Sequence, residues 1–527
     1  MKTDSLKLYI DELNKQYKTG LAREHSYRPA LKDLLQSLLP KMVVTNEPAH
    51  FECGAPDYII QREKDHLPVF FVEAKDVNDN DLDGRNKNAH KEQFDRYKQA
   101  LDYIIFTDYL DFHLYEHGEF ARSVRIAEVK GDKIVGIAEA EDKFIGMVQH
   151  LGSSAIQRIT SAPRLAKLMA GKARLLANII GQAIASDQEK ENHNDEEVVD
   201  FFHIPQEEIF QTGLREQMET FQRVLLHDIT PQSFADVYAQ TIVYGLFAAR
   251  LNDKTPEDFS RQEALNLIPK TSPFLRNLFQ QIAGLDPDPR IEWIIDDLVT
   301  AFGATDMQKI LKGYNEDTQR TDPMMHFYED FLAAYDPSLR KAKGVWYTPQ
   351  PVVQFIVRAV DEILQKEFGL EMGLADYSKV PRTVSVEQSY DKRTSDHKKH
   401  ISKDLFRVQI LDPAMGTGTF ISEIIRQVKS KFEGNEGIWS SYLSSYLLPR
   451  IYGFEVMVAP YTIAHMKTYL QLKEDGNLTD KDMPRMNLLL TNSLEEADET
   501  TGSLFAYWLS QEANRANIIP VFRAYLP

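Results

Sequence analysis

Residues 406–425, FRVQILDPAMGTGTFISEII, constrain the fold of this chain more than any other stretch. An apolar run ending near Leu411 passes through Asp412, Gly416 and Gly418 straight into a helical pattern. Glycines at that junction permit a tight turn and a close approach of backbone to ligand, while the helix start offers unpaired N–H groups to an anionic or polar group. Strand, glycine turn and helix together predict the beginning of a doubly wound α/β domain with a nucleotide-type pocket. A dinucleotide-binding turn is the obvious competitor, and the spacing opposes it. Its third glycine would fall at Ile421, where a β-branched side chain crowds the helix-to-strand packing.

The rest of the chain surrounds that core with other material. At 527 residues it exceeds what one hydrophobic core supports, and three or four domains are expected. Residues 1–150 mix helical and strand periodicity, with a helix through Tyr27–Leu39 and short apolar runs at 57–60, 69–74 and 103–106, which reads as a compact α/β domain. Residues 151–340 are helical in pattern and read as a connector, interrupted by the polar stretch SDQEKENHNDEE, which reads as a loop. Residues 341–527 open with a helix over PQPVVQFIVRAVDEILQKEF, continue through a polar segment to 404, and then enter the doubly wound domain.

Composition limits the partners. No apolar run approaches a membrane span, no signal peptide is legible, and Cys53 as the only cysteine excludes an intrachain disulfide, so a cytoplasmic protein with no membrane partner is expected. A net charge of −18 argues against a surface coated for nucleic acid, though Lys87, His90, Lys91, Arg96 and Lys98, or Lys392, Arg393 and His397–His400, could form a local basic groove.

Near the N-terminus, HFECGAPDYII followed by HLPVFFVEAKDV sets Asp57 at the start of one strand and Glu73 with Lys75 at the end of the next. Alternation places Glu73 and Lys75 on one face and Ala74 on the other. Two carboxylates facing across a hairpin can hold a hard divalent cation such as Mg²⁺, and the lysine can orient the attacking water in phosphodiester hydrolysis. The plain alternative is a surface ion pair of Glu73 with Lys75.

DPAMGTGTF resembles the S-adenosylmethionine motif of amino-group DNA methyltransferases, and its neighbours resemble the gamma-type adenine-N6 enzymes in order. The likeness implies S-adenosyl-L-methionine as cofactor. It implies that Tyr347, Thr348 and Pro349 of GVWYTPQP lie beside the methionine end, with Asp412, Ala414, Gly416, Gly418 and Phe420 forming the turn. Glu455 of IYGFEV would take the ribose hydroxyls, and Asn492 or a neighbour would lie at the adenine edge. The family's N-P-P-Y or D-P-P-Y tetrapeptide occurs nowhere in the 527 residues, so methyl transfer is expected to be impaired, and the chain reads as C-terminally incomplete, without a target recognition domain. The N-terminal pattern is similar to the PD-(D/E)xK nucleases. That likeness assigns Asp57, Glu73 and Lys75 to the catalytic centre, adds Gln93 and Tyr97 as a Q-x-x-x-Y helix, and adds Glu24 as a helical acid completing a metal site of Glu24, Asp57 and Glu73.

The order nuclease, helical connector, methyltransferase resembles type IIG restriction–modification enzymes, with local motifs similar to the type ISP enzymes but no phosphate-binding loop for a helicase. Double-stranded DNA is the expected partner, together with a second polypeptide if one supplies the missing methyltransferase part. The competing readings are a non-catalytic remnant that binds cofactor and DNA, and a free-standing nucleotide enzyme such as a dehydrogenase.

Overall fold

The computed structural model describes residues 2–46, 54–64, 66–79, 81–84, 89–153, 158–194, 213–253, 255, 259–269, 271–283, 287–310, 323–336, 348–386, 399–476, 478, 483–494 and 504–518. The chain is a mixed α/β protein that divides into two compact units, one of residues 1–195, 253–263 and 285–340 and one of residues 196–252, 264–284 and 341–527. The helices of 151–340 are thus distributed between both units. Among the described residues no helix is long and apolar enough to cross a membrane.

The first unit is built on a six-stranded sheet whose strands lie in chain order: β1 (Met42–Asn46), β2 (Tyr58–Arg62), β3 (Pro68–Ala74), β4 (Tyr103–Thr107), β5 (Asp111–Glu116) and β6 (Glu119–Arg125). All neighbours are antiparallel except β3 and β4. A parallel pair needs a crossover, and helix α3 (Ala89–Ala100) supplies it. Strand β3 is buried on both faces. Phe70, Val72 and Ala74 join one core with α1 (Lys2–Tyr17), α2 (Glu24–Leu38) and α4 (Glu141–Ser153), where α2 contributes Tyr27, Leu31, Leu34, Leu35 and Leu38 at helical spacing. On the other face Phe71 meets Trp293 of the helix Pro289–Gly303 edge to face, with ring centroids 5.7 Å apart. That second face also carries Glu73. A small hairpin, β7 (Ala127–Lys130) with β8 (Lys133–Gly136), follows.

Helix α5 (Ala162–Asn194) also belongs to this unit and runs on through residues 186–194, which the sequence suggested as loop. Glutamate, glutamine and lysine are good helix formers, so a polar segment lacking an apolar stripe still prolongs a helix that tertiary packing has started.

The second unit holds three parallel strands in the order β11 (Ile410–Asp412), β12 (Ile451–Glu455), β13 (Asn487–Leu490), with helices Thr419–Ser430 and Val458–Gly476 as the connections. The helix Gln350–Lys366 packs on Thr419–Ser430, fastened by Gln350 to Glu423 at 2.8 Å and by Lys431 to Asp361 at 2.6 Å. The polar segment before residue 404 contains an antiparallel pair, β9 (Lys379–Val386) and β10 (Lys399–Phe406), which its composition concealed. The basic residues 392–398 lie outside the described residues.

Candidate functional site

In the first unit, the antiparallel pairing of Tyr58 with Val72 extends by one step to bring Asp57 opposite Glu73. Asp57 Oδ2 accepts a hydrogen bond from the amide of Ala74 at 2.6 Å. Both carboxylates are 1% exposed. Lys75 Nζ donates to Glu73 Oε1 at 2.7 Å and lies 3.4 Å from Gln93 Oε1, while Gln93 Nε2 reaches Tyr97 Oη at 3.4 Å and Tyr97 Oη donates to Gly54 O at 3.0 Å. Five residues separated by up to 43 positions therefore form one connected chain from strand end to crossover helix. Gly54 permits the last link: its φ is +92°, and a Cβ there would stand 3.1 Å from Gln182 Oε1.

Glu24 begins α2, where its backbone N–H donates to Asp76 Oδ1 at 2.8 Å and its carbonyl accepts from Tyr109 Oη at 2.8 Å. Tyr109 itself has φ +70° in the turn before β5, a left-handed conformation rare for an aromatic residue; its N–H is held by Thr107 Oγ1, and the two amides after it by Asp108 Oδ1. The Glu24 side chain does not join Asp57 and Glu73 around a common point. It pairs with Arg28, one helical turn on, and Arg28 Nη2 lies 2.6 Å from Asp57 Oδ1. Among the described residues no group of three or more His, Cys, Asp or Glu side chains stands arranged to hold a metal ion.

The electrostatics follow from this burial. Desolvation, and then Glu73, push the Asp57 carboxyl up to about 8 against the pull of Arg28. Burial likewise raises Glu73 in spite of Lys75. For Lys75 burial opposes the charge, but Glu73 outweighs it and the ammonium is held above its ordinary value. Asp57 Oδ1 and Glu73 Oε2 are buried without a hydrogen-bond partner, and such atoms suit a hard cation. Asp57 and Glu73 fit a divalent ion; Glu24, turned to Arg28, does not complete the set in this conformation. Sequence reasoning missed Arg28, for which the only available signal was its i,i+4 spacing from Glu24.

Of the basic residues singled out at 87–98, Lys91 is exposed and Lys98 makes contacts within the unit. Lys98 donates to Asp83 O at 2.6 Å and lies 4.2 Å over the Tyr115 ring; Lys87 lies outside the described residues.

In the second unit, Gly416 and Gly418 have φ of +55° and +76°, and Gly418 caps the helix Thr419–Ser430 in the left-handed conformation. A Cβ on Gly418 would stand 3.1 Å from Ala464 Cβ, so the glycine also sets the spacing between two helices. Glu455, at the end of β12, accepts from the amides of Gly416 at 3.0 Å, Val456 at 2.9 Å and Met457 at 2.7 Å. Burial raises its pKa while those three amides oppose the rise. Asp412 Oδ1 accepts from the Ala414 amide at 3.2 Å, whereas Asp412 Oδ2 is buried without a hydrogen-bond partner. Asn492 follows β13, with Oδ1 accepting from the Leu494 amide at 3.0 Å and Nδ2 directed to Leu225 O at 3.4 Å.

The structure thus gathers Asp412, Ala414, Gly416 and Glu455 around one turn and sets Phe420, half-buried, in the first turn of the following helix. Thr348 and Pro349 immediately precede the helix Gln350–Lys366, and Tyr347 lies outside the described residues. Thr417, 1% exposed with an unpartnered buried Oγ1, was not singled out by sequence because its neighbours carry the glycine signal.

No protein-family model matches this chain, and no curated protein matches it in sequence. Among solved structures it is similar to a DrdV–DNA complex, at 19% identity and a TM-score of 0.35, covering 98% of this chain and 42% of that one. It is also similar to a nuclease-deletion mutant of the type ISP restriction–modification enzyme LlaGI in complex with a DNA substrate mimic (16% identity, TM-score 0.39, 72% of this chain and 25% of that one). A third similarity is to the ATP-dependent type ISP restriction–modification enzyme LlaBIII bound to DNA (18% identity, TM-score 0.38, 73% of this chain and 22% of that one). The chain spans less than half the length of each of these three proteins.

Proposed function

We propose that this chain is a DNA restriction–modification protein, with a divalent-cation-dependent endonuclease centre in its first unit and an S-adenosylmethionine pocket of the adenine-N6 methyltransferase kind in its second. The observation that carries the reading is the buried pair Asp57 and Glu73 with Lys75 alongside, buttressed through Gln93 and Tyr97 to Gly54. Carboxylates are almost never fully buried unless their charge is compensated, and two at facing strand ends that each keep one oxygen without a hydrogen bond suit a hard divalent ion such as Mg²⁺. Asp57 and Glu73 would hold the ion, which when bound supplies Lewis-acid stabilisation of the phosphodiester and lowers the pKa of a water. Lys75, fixed by Glu73 and Gln93, keeps an ammonium aimed at that position, where it can orient the nucleophile and balance charge developing on phosphate. Double-stranded DNA is the substrate this chemistry calls for.

The test is plasmid nicking by the purified protein with Mg²⁺. Asp57→Asn, Glu73→Gln and Lys75→Ala should each lower the rate by at least ~10²-fold, the scale on which a positioned charge acts. Cutting that persists in Glu73→Gln, or in excess chelator, overturns the nuclease assignment. One observation favours a second reading, a non-catalytic remnant that binds cofactor and DNA: Glu24 pairs with Arg28 and leaves the metal set one carboxylate short. Nicking by the unaltered protein excludes it.

A further inference from the structure

We propose that the cleft bordered by α5, the end of α3 and the turn joining β5 to β6 is a binding site for a phosphate ester. It lies in the first unit and uses none of the residues assigned above to the nuclease centre.

The cleft has a volume of about 660 Å³, inside the range of roughly 300–1,000 Å³ that small-ligand sites occupy. Arg164, Lys167 and Arg174 line it from α5, at successive spacings of three and seven residues and so on one face of that helix. None of the three is matched with a carboxylate among the described residues. Arg164 Nη2 lies 3.0 Å from Nε2 and 3.3 Å from Nδ1 of His117, and no acid side chain pairs with it. Lys167 is exposed and makes neither a hydrogen bond nor an ion pair. Arg174 Nη1 donates to Ala334 O at 2.6 Å and to Tyr335 O at 3.0 Å, and Nη2 donates to Gln99 Oε1 at 3.0 Å, all of them neutral acceptors. Burial lowers the Arg174 pKa, as it does for a guanidinium that has lost water without gaining a carboxylate in contact.

The acids of the cleft do not cancel this charge. Asp102 Oδ1 is taken by His117 Nδ1 at 2.9 Å, and Glu119 is exposed. With its Nδ1 proton given to Asp102, His117 turns the lone pair of Nε2 toward Arg164, which orients the guanidinium without neutralising it. Lys98 adds a fourth cation, so the lining is positive in a chain whose net charge is −18. Arg164 and Lys167 also stand in the first two turns of α5, whose first turn carries no acid and where a cation opposes the helix dipole. The turn from β5 to β6 is seated on the end of α3 by the bond from His117 N to Asp102 O at 2.7 Å, and only a glycine fits beside it: Gly118 has φ +83°, and a Cβ there would stand 2.8 Å from Lys98 O. A phosphate ester spreads up to two charges over three acceptor oxygens, so one group can take hydrogen bonds from Arg164 and Lys167 together, which a singly charged carboxylate matches less well.

Calorimetry on the full chain in excess chelator, with thymidine 5′-monophosphate as the probe, tests the site. The pyrimidine keeps the probe from the adenosyl pocket proposed for the second unit, and the chelator keeps divalent ions from carrying phosphate to Asp57 and Glu73. Saturable binding tighter than ~1 mM is expected, displaced by inorganic phosphate and not reproduced by thymidine. Arg164→Ala and Lys167→Ala should each weaken it by ~10-fold or more, the scale of one charge-assisted hydrogen bond, while Lys167→Arg retains it. Lys167 is exposed, so its replacement leaves the fold intact. Competition by a short DNA duplex would assign the phosphate to a DNA backbone, and failure to compete would assign it to a free phosphate ester. Absence of saturable binding, or binding unmoved in both alanine variants, overturns the site and leaves the nuclease reading untouched.

Discussion

At the scale of single side chains, part of the first unit's candidate site was legible. Glu73 and Lys75 were set on one face by strand alternation, which is local, whereas Gln93 and Tyr97 were offered only by the resemblance to a Q-x-x-x-Y helix. Arg28 was not legible, since its contact with Asp57 depends on pairing between α2 and the end of β2, which no short window encodes. Tyr109 was hidden for a different reason: a left-handed tyrosine is imposed by surrounding hydrogen bonds and not by its own preference. His113 offers a test at this scale. Burial lowers its pKa, but hydrogen bonds with Asp111 and Asp83 raise it further, leaving it above the ordinary value. A folded-state pKa above the unfolded one adds stability that is complete below the unfolded value, near ~6.5, and is lost as pH rises through the folded value. The melting-temperature gap between the unaltered chain and His113→Asn should therefore be widest below about pH 6 and narrow steadily toward pH ~9. A gap that grows with pH shows the opposite linkage.

At the scale of elements, periodicity located β2, β3, β4 and α2 to within a few residues, while β5, β6 and the β9–β10 hairpin escaped because polar and charged residues interrupt their alternation. The extension of α5 escaped because a polar helix has no apolar stripe to announce it. The packing of α5 on α3 rests on Gly171: a Cβ there would stand 2.0 Å from Gln99 O and 3.2 Å from Ala100 Cα. Backbone atoms cannot yield as a flexible side chain would, so Gly171→Ala must push the helices apart. It should destabilise the unit by ~1–3 kcal/mol or more, read as a lowered urea midpoint, despite alanine's better helix propensity. Because α3 also carries Gln93 and Tyr97, nicking should fall in the same variant at denaturant concentrations where it remains folded. A midpoint at or above that of the unaltered chain removes the close approach.

For the whole molecule, the α/β character and the glycine turn were readable, whereas the allotment of the helices of 151–340 to two units was not, since helical periodicity does not say which partner an apolar face will meet. The second unit presents Glu455 and the glycine turn, while the 527 residues contain no N-P-P-Y or D-P-P-Y to hold a target adenine. Cofactor binding without methyl transfer is the expected outcome. Calorimetry should detect S-adenosylmethionine; Glu455→Ala should weaken it by ~1.5–3 kcal/mol for a lost charge-assisted contact, and Gly418→Leu should abolish it through the strained φ and the collision with Ala464. Labelled cofactor should leave DNA unmarked. Incorporation at adenine N6 by this chain would reveal an acceptor loop built from other residues.

The bonds from the amides of Gly416, Val456 and Met457 to Glu455 are made by the chain's own main chain, and this bears on timing. Three main-chain donors already converge on one carboxylate, so the loop has settled its shape and surrendered its conformational freedom during folding. If the pocket takes an adenosyl group as proposed, that ligand should meet a surface these bonds have already shaped, and its observed binding rate is expected to climb linearly with concentration, without a plateau from slow closure.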